Sequence, residues 1–287
     1  MDLSHVRFEG EQAPASRGPR GSPAGVRSGG RTSAPAIGSL PAIVLKMRGL
    51  DPAAYRARPL QRRIAACLRT LRAGSEHAAA AQLRERPDLM DSALSTLLIG
   101  VTSFFRDRAV FAALRDLVIP TLAGRSPRVL SVGCANGAEL YSVAILLAEA
   151  GLLEGAELLG IDCRAEAIRQ AAAGTFPLGA LEGVDSELLQ RHFEPEGSSA
   201  LKARAALRRA LYWRVEDGTC GVPAGPWDIV LCRNVLIYLQ PPIAAAMVER
   251  IARELTPGGF LVVGKAERPA AALPLKAIAR CLYRHVG

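Results

Sequence analysis

Glu139, Asp162, Asp217 and the pair Arg233-Asn234 share one placement: each follows a short apolar run. Glu139 comes after Gly133-Cys134-Ala135-Asn136-Gly137, a glycine-rich break behind Val129–Val132. Asp162 closes Glu157–Ile161, Asp217-Gly218 follow Leu211–Val215, and Arg233-Asn234 follow Trp227–Leu231. If the runs are parallel strands, all these side chains gather beyond the strands' carboxyl ends, where sheets of this kind bind ligands. An acid at the end of the second strand is suited to accept from ribose hydroxyls, and glycine in the first turn lets the backbone pass close to a ligand. The break lacks the full G-x-G-x-x-G spacing and the G-K-[ST] ending, so a pyrophosphate is not the expected ligand.

What remains is a sugar-and-base pocket with a carboxylate, Glu139, suited to a neutral or cationic ligand. S-adenosylmethionine fits that description: its sulfonium is cationic, its ribose offers two hydroxyls, and it carries no phosphate. Each residue also has an ordinary structural use. Glu139 could simply complement a helix dipole, and Asp162 could cap the next helix. The joint pattern favours the ligand reading.

The elements that must position these groups can be read from periodicity. Val129–Val132 predicts a buried strand, and Ala138–Ala150 a helix with Leu140, Val143, Ala144 and Leu147 on one side. Asp162 is followed by a helix over Ala165–Ala173. Leu211–Val215 and Trp227–Leu231 are further strands, Ile243–Leu255 a helix, and Pro257-Gly258-Gly259 a turn into a strand over Phe260–Val263. Ala279–His285 reads as a last strand. The alternation implies an α/β fold with a mostly parallel, doubly covered sheet. Phe176 to about Ala210 interrupts it, polar and broken at Pro195 and Gly197-Ser198-Ser199, and reads as an inserted subdomain of short helix and hairpin. Upstream, residues 42–98 form a small helical domain. Its helices run over Leu60–Leu71, Ser75–Arg86 and from about Asp88. Residues 99–127 are a linker and connecting helix, and 1–41 a Gly-, Pro-, Ser- and Arg-rich basic tail with too little apolar surface to order itself.

A hydrophobic fraction of 49% in 287 residues is enough for a core of this size, and the net charge of +9 points to an acidic partner. No run of 18 uncharged apolar residues occurs, so no membrane insertion is expected. Six cysteines are scattered without C-x-x-C pairing, which argues against zinc and a disulfide framework and for a cytoplasmic location. Four distant histidines suggest no metal site. Basic residues around Lys202–Arg209 lack the interleaved aromatics of a nucleic-acid groove, so no nucleic acid is expected.

The stretches Thr102–Asp107 (TSFFRD), Gly133–Ser142 (GCANGAELYS), Gly160–Arg164 (GIDCR), Trp227–Leu239 (WDIVLCRNVLIYL) and Leu255–Glu267 (LTPGGFLVVGKAE) resemble, in order and spacing, the chemotaxis receptor glutamate methyltransferases, the CheR family. The resemblance runs from about Tyr55 to the C-terminus. It implies a class I methyltransferase domain, Rossmann-like with a mostly parallel sheet, preceded by a small all-α domain and carrying a small β-subdomain at the insertion. It implies that Thr102, Arg106, Gly133, Glu139, Asp162, Asp217, Gly218, Arg233 and Asn234 line an S-adenosylmethionine site, with Arg106 and Tyr238 nearest the transferred methyl. It implies an acidic helical region of a chemoreceptor-type protein as partner, and a monomeric enzyme.

Three departures accompany it. Gly100 replaces the family's usual asparagine, Ala138 the first glutamate of its G-E-E, and the insertion lacks the glycine pattern of members that dock on a receptor's C-terminal pentapeptide. Gly100 and Ala138 leave open a cofactor-binding signalling protein with reduced activity, and the third departure argues against that tether; a related methyltransferase with a non-receptor substrate is the other alternative. Phe104 and Phe105 read as core anchors for the linker, and Tyr238 as either core or site. Arg56, Arg58, Arg62, Arg63, Arg69 and Arg72 read as a solvated face that an acidic helix could use.

Overall fold

The computed structural model describes residues 6–7, 33–98 and 102–287; Gly100 lies outside the described residues. Five helices form the N-terminal unit: α1 (Leu40–Met47), α2 (Ala57–Gln61), α3 (Ile64–Leu71), α4 (Glu76–Glu85) and α5 (Met90–Leu97). Helix α1 opens with Leu40 fully buried, two residues before the boundary expected from composition. Its first amide donates to the Glu76 carboxylate at 2.9 Å. Ser75 caps α4 through the Ala78 amide, as its type and position predict. The single amphipathic helix expected over Leu60–Leu71 is two, because the chain turns at Arg62-Arg63. The Arg63 guanidinium reaches across to the Thr96 carbonyl of α5 at 3.1 Å.

The connecting helix α6 (Arg108–Ala113) widens into a π turn over Leu114–Val118. The α/β unit then runs β2 (Arg128–Val132), α7 (Ala138–Glu149), β3 (Glu157–Asp162), α8 (Ala165–Ala173), the insertion, β7 (Leu211–Val215), β8 (Trp227–Cys232), α11 (Pro241–Glu254) and β9 (Leu255–Val263). It ends in a hairpin of β10 (Leu275–Ala279) and β11 (Leu282–His285). The sheet order is β1-β7-β3-β2-β8-β9-β11-β10, where β1 is the two-residue strand Val6–Arg7 beside β7, within the stretch read as a tail. From β7 to β9 the strands are parallel; β11 runs the other way, and β10, antiparallel to β11, returns to the common direction.

Two expectations are corrected here. The last strand is a hairpin that turns at Arg280-Cys281, with Cys281 at φ 64°, and no glycine, proline or asparagine marks the turn in sequence. Pro257-Gly258-Gly259 is not a turn before a strand but part of β9, where the register with β8 shifts between Trp227 and Ile229.

The insertion is a three-stranded antiparallel sheet, β4 (Thr175–Pro177), β6 (Ala200–Ala203) and β5 (Phe193–Glu196), in the order β4-β6-β5, with helices α9 (Ser186–His192) and α10 (Ala205–Arg209). Leu178 and Gly174 bond inward to the β6 side, so by alternation Pro177 faces outward; His192 bonds inward, so Pro195 faces outward too. Both edges of the small sheet therefore carry a proline where a further strand would need a donor. Phe176 and Phe193 from this sheet pack edge-to-face on Phe104 of the linker, at 4.8 and 5.5 Å between centroids. The packing agrees with the core-anchor reading of Phe104 and Phe105: Phe105 meets Phe111 edge-to-face at 5.4 Å.

Candidate active site

Beyond the carboxyl ends of β2, β3, β7 and β8 lies a cavity of about 880 Å³, its open mouth included. All ten residues expected there by sequence line it: Thr102, Arg106, Gly133, Glu139, Asp162, Asp217, Gly218, Arg233, Asn234 and Tyr238. The structure adds walls that sequence reasoning missed. Tyr55 and Leu98 come from the helical unit, Cys163 and Arg164 from the loop after β3, and Met247 from α11. Arg164 belongs to the GIDCR stretch, and its charge beside Asp162 was an available signal; Tyr55 had none.

The first turn is shaped by its glycines. Gly133 has φ +69°, and a Cβ there would stand 2.5 Å from Val235 Cγ2 of the neighbouring loop. At Gly137, φ +84°, a Cβ would meet the Trp213 ring at 2.5 Å. The amides of Gly133 and Cys134 both donate to the Ile161 carbonyl, which pins the turn against β3.

Asp162 is not a helix cap. One of its oxygens accepts from the Arg164 amide and Nε, the other from Arg164 Nη2 and the Ala135 amide, all at 2.9–3.0 Å. Arg164 Nη1 donates further to the Leu98 carbonyl at 3.1 Å, at the end of α5. Burial alone would lower the Arg164 pKa, but the Asp162 carboxylate outweighs it and holds the guanidinium charged. Asp217 is likewise engaged locally, accepting from the Thr219 amide and hydroxyl at 2.9 and 2.7 Å.

Glu139 stands in the first turn of α7, and Arg233 donates to it at 2.7 Å. The same guanidinium donates to the Asp107 carboxylate at 2.8 Å and the Arg106 carbonyl at 3.0 Å. Lys265 also pairs with Asp107. Burial pushes the Glu139 carboxyl above the usual range, with Arg233 pulling against it. Burial acts on Asp107 as well, but Lys265 and Arg233 win and its pKa falls below the ordinary value.

This network fixes the linker around Arg106. Phe105 and Asp107 on either side of it adopt φ 49° and 64°, a left-handed backbone uncommon outside glycine. The Phe105 amide donates to Ser142 Oγ at 3.0 Å. Arg106 is thus presented to the cavity by a backbone held from both sides.

The loop after β8 is held by one buried acid outside the cavity. Glu267 accepts from the amides of Asn234 (2.8 Å), Gly264 (2.7 Å) and Ile237 (3.3 Å). From the other side, the Arg56 amide donates to the Tyr238 carbonyl and the Gln240 amide to the Ala54 carbonyl, both at 2.8 Å. The helical unit is therefore stitched by backbone bonds to the loop that carries Tyr238. Tyr238 is half-buried, and desolvation raises its phenol pKa although Arg63, Arg106 and Arg164 oppose the shift. It is a neutral hydrogen-bond donor at physiological pH.

No group of three or more His, Cys, Asp or Glu side chains able to hold a metal occurs among the described residues. No helix among them is long and apolar enough to cross a membrane.

The mostly parallel sheet, with its carboxylates gathered beyond the strand ends, is the frame of a class I methyltransferase dependent on S-adenosylmethionine. Residues 100–274 match the family model described as "CheR methyltransferase, SAM binding domain", and the chain belongs to that family. It is similar to chemotaxis protein methyltransferase 2 of Pseudomonas aeruginosa, with 31% identity over 231 residues, 77% of this chain and 82% of the relative. It is also similar to chemotaxis protein methyltransferase Cher2 of Pseudomonas putida, with 30% identity over 200 residues, 65% and 72% of the two chains. Among solved structures, the N-methyltransferase NodS of Bradyrhizobium japonicum in complex with S-adenosyl-l-homocysteine is 21% identical, covering 55% of this chain and 60% of that one at a TM-score of 0.34.

Proposed function

We propose that this enzyme forms methyl esters on glutamate side chains of a chemoreceptor-type protein, and that it does so as a monomer in the cytoplasm. One observation carries the choice of acceptor: among the described residues that line the cavity, no side chain is poised to take up a proton. The lining holds no histidine or lysine. Glu139 and Asp162 are engaged by Arg233 and Arg164, Asp217 by Thr219, and Glu216 lies 3.7 Å from Arg214. Burial raises the thiols of Cys134 and Cys163 and the phenol of Tyr55. A hydroxyl or ammonium acceptor would have to lose a proton. A glutamate carboxylate, which ordinarily titrates near pH 4.3, is already ionised at pH 7.

Bound S-adenosylmethionine supplies an electrophilic methyl group on a sulfonium. The residues that would hold it are Asp162 toward the ribose, Asp217, Gly218 and Asn234 toward the base, and Thr102, Gly133 and the Glu139–Arg233 pair along its length. Arg106 and Tyr238 would orient the acceptor carboxylate, the first by its planar fork and the second by a single hydrogen bond. Two donors on the nucleophile are a compromise, because too strong an ion pair blunts it. Their work is positioning and exclusion of water. The names of the chemotaxis relatives support a receptor acceptor, and the exposed arginines Arg58, Arg62, Arg69 and Arg72 suit an acidic helix.

The test is transfer of labelled methyl from S-adenosylmethionine into candidate receptor fragments, followed by mild alkali. A carboxyl methyl ester releases its label as methanol, whereas an N-methyl product that survives alkali would overturn the assignment.

A further inference from the structure

We propose that Arg164 is an internal competitor for the ribose, and so sets how strongly this enzyme depends on the cofactor's vicinal diol. The inference rests on the reading of Asp162 as the ribose acceptor. An ionised carboxylate has about four lone-pair sites. In Asp162 four protein donors fill them: the Ala135 amide, the Arg164 amide, Arg164 Nε and Arg164 Nη2. The two amides are fixed by the turn after β2 and by the loop after β3. The two guanidinium bonds are made by a side chain that can rotate. A diol reaching Asp162 therefore has to displace Nε, Nη2 or both.

The displaced arginine is not stranded. Arg164 lines the same cavity, and its Nη1 keeps the Leu98 carbonyl at 3.1 Å as a second acceptor. Binding thus exchanges bonds in which donor and acceptor are both charged for bonds to the same carboxylate from neutral hydroxyls, and the attraction between the two charges is lost. The net gain from the two hydroxyls is small in the wild-type enzyme. It becomes large once the competing donors are gone, because Asp162 is then left with unfilled acceptor sites in a buried wall. Arg164 acts here through Asp162, as a positioning residue that tunes cofactor selectivity.

The experiment compares binding of S-adenosylhomocysteine and its 2′,3′-dideoxy analogue by calorimetry, in wild type, Arg164→Gln, Arg164→Lys and Asp162→Asn, each first checked by thermal melting. The ratio of the two dissociation constants should be about threefold in wild type and about tenfold or more in Arg164→Gln, with tighter absolute binding of the diol ligand. Arg164→Lys, which keeps the charge but loses the fork, should fall between and carries the comparison if the glutamine variant does not fold. A merely structural arginine would weaken both ligands equally and leave the ratio unchanged. If that happens while Asp162→Asn still weakens the diol ligand, the competitor role is wrong and the ribose role of Asp162 stands. If Asp162→Asn binds both ligands like wild type, the ribose reading itself fails and takes this proposal with it.

Discussion

The guanidinium of Arg233 meets the carboxylate of Glu139 at 2.7 Å inside the wall of the cavity. The Arg233 side chain is 1% exposed, and its Nη2 donates to the linker, at the Arg106 carbonyl and the Asp107 carboxylate. Two residues that sequence placed against the cofactor thus also hold the architecture together.

Removing this arginine should be felt first in stability. Arg233→Gln leaves Glu139 buried without its partner, a change that costs about 3–5 kcal/mol when a buried pair is broken from one side. Asp107 keeps Lys265, so the lower end of that range is expected. Thermal melting should drop by roughly 6–12 °C. A variant that melts within two degrees of wild type would show that the pair contributes little.

Arg106→Lys should behave in the opposite way. The backbone at Arg106 is held by its neighbours, so the melting temperature should move little, in line with the ~0.5 kcal/mol typical of changes away from the core. Methyl transfer should fall by roughly tenfold for each 1.4 kcal/mol of transition-state stabilisation that the planar fork supplies and an ammonium does not. Equal turnover with both substrates saturating would leave Arg106 as a clasp between the units.

Glu267 does not itself line the cavity, yet it should control affinity. Glu267→Ala strips the acceptor from three amides in the loop that carries Asn234 and Tyr238, and an unsatisfied buried donor costs about 1–3 kcal/mol. Cofactor affinity should fall by at least tenfold, and Glu267→Gln should recover part of it. Unchanged binding in the alanine variant would mean that the loop holds its shape without this anchor.

The pH dependence of transfer should be nearly flat. The acceptor carboxylate ionises near pH 4.3, and the Tyr238 phenol is raised above its ordinary value near 10, so neither changes protonation between about pH 6.5 and 9. Measured kcat at saturating substrates should vary by less than about twofold across that interval. A sigmoidal change centred near pH 7 or 8 would reveal a proton-transfer group that the geometry does not contain.

The exposed arginines should act on encounter. Neutralising Arg58 and Arg62 should raise KM for an acidic receptor fragment and flatten its salt dependence, with kcat nearly intact. Arg63 is different, since its guanidinium holds the Thr96 carbonyl. Its loss should lower the melting temperature as well. If the Arg58 and Arg62 changes reduce kcat and spare KM, the docking face lies elsewhere.

The site was legible because strand ends are short-range events. A run of β-branched residues, a glycine turn and an acid lie within a dozen positions of one another, and parallel strands then bring their ends together. Asp162 was visible in this way, whereas its partner Arg164 two residues on was not given a role, since nothing local says whether such an arginine points outward or folds back. Glu267 and Tyr55 were invisible for another reason. Their partners lie 33 and 185 positions away, at Asn234 and Gln240, and only the tertiary fold joins them. The hairpin at Arg280-Cys281 escaped because its turn uses a left-handed cysteine in place of the residues that usually mark one.

The prolines at the outward positions of β4 and β5 have a consequence for how the enzyme meets its acceptor. A catalyst that adds a peptide strand to its own sheet gains a high local concentration of everything joined to that peptide. Here each edge of the small sheet lacks a donor that such a splice would use. An acceptor met without that leash is modified at a frequency set by the number of enzyme molecules near it and by the ions that screen the enzyme's arginines. By this route, faster modification comes from more copies of the enzyme and not from crowding acceptors around a captive molecule.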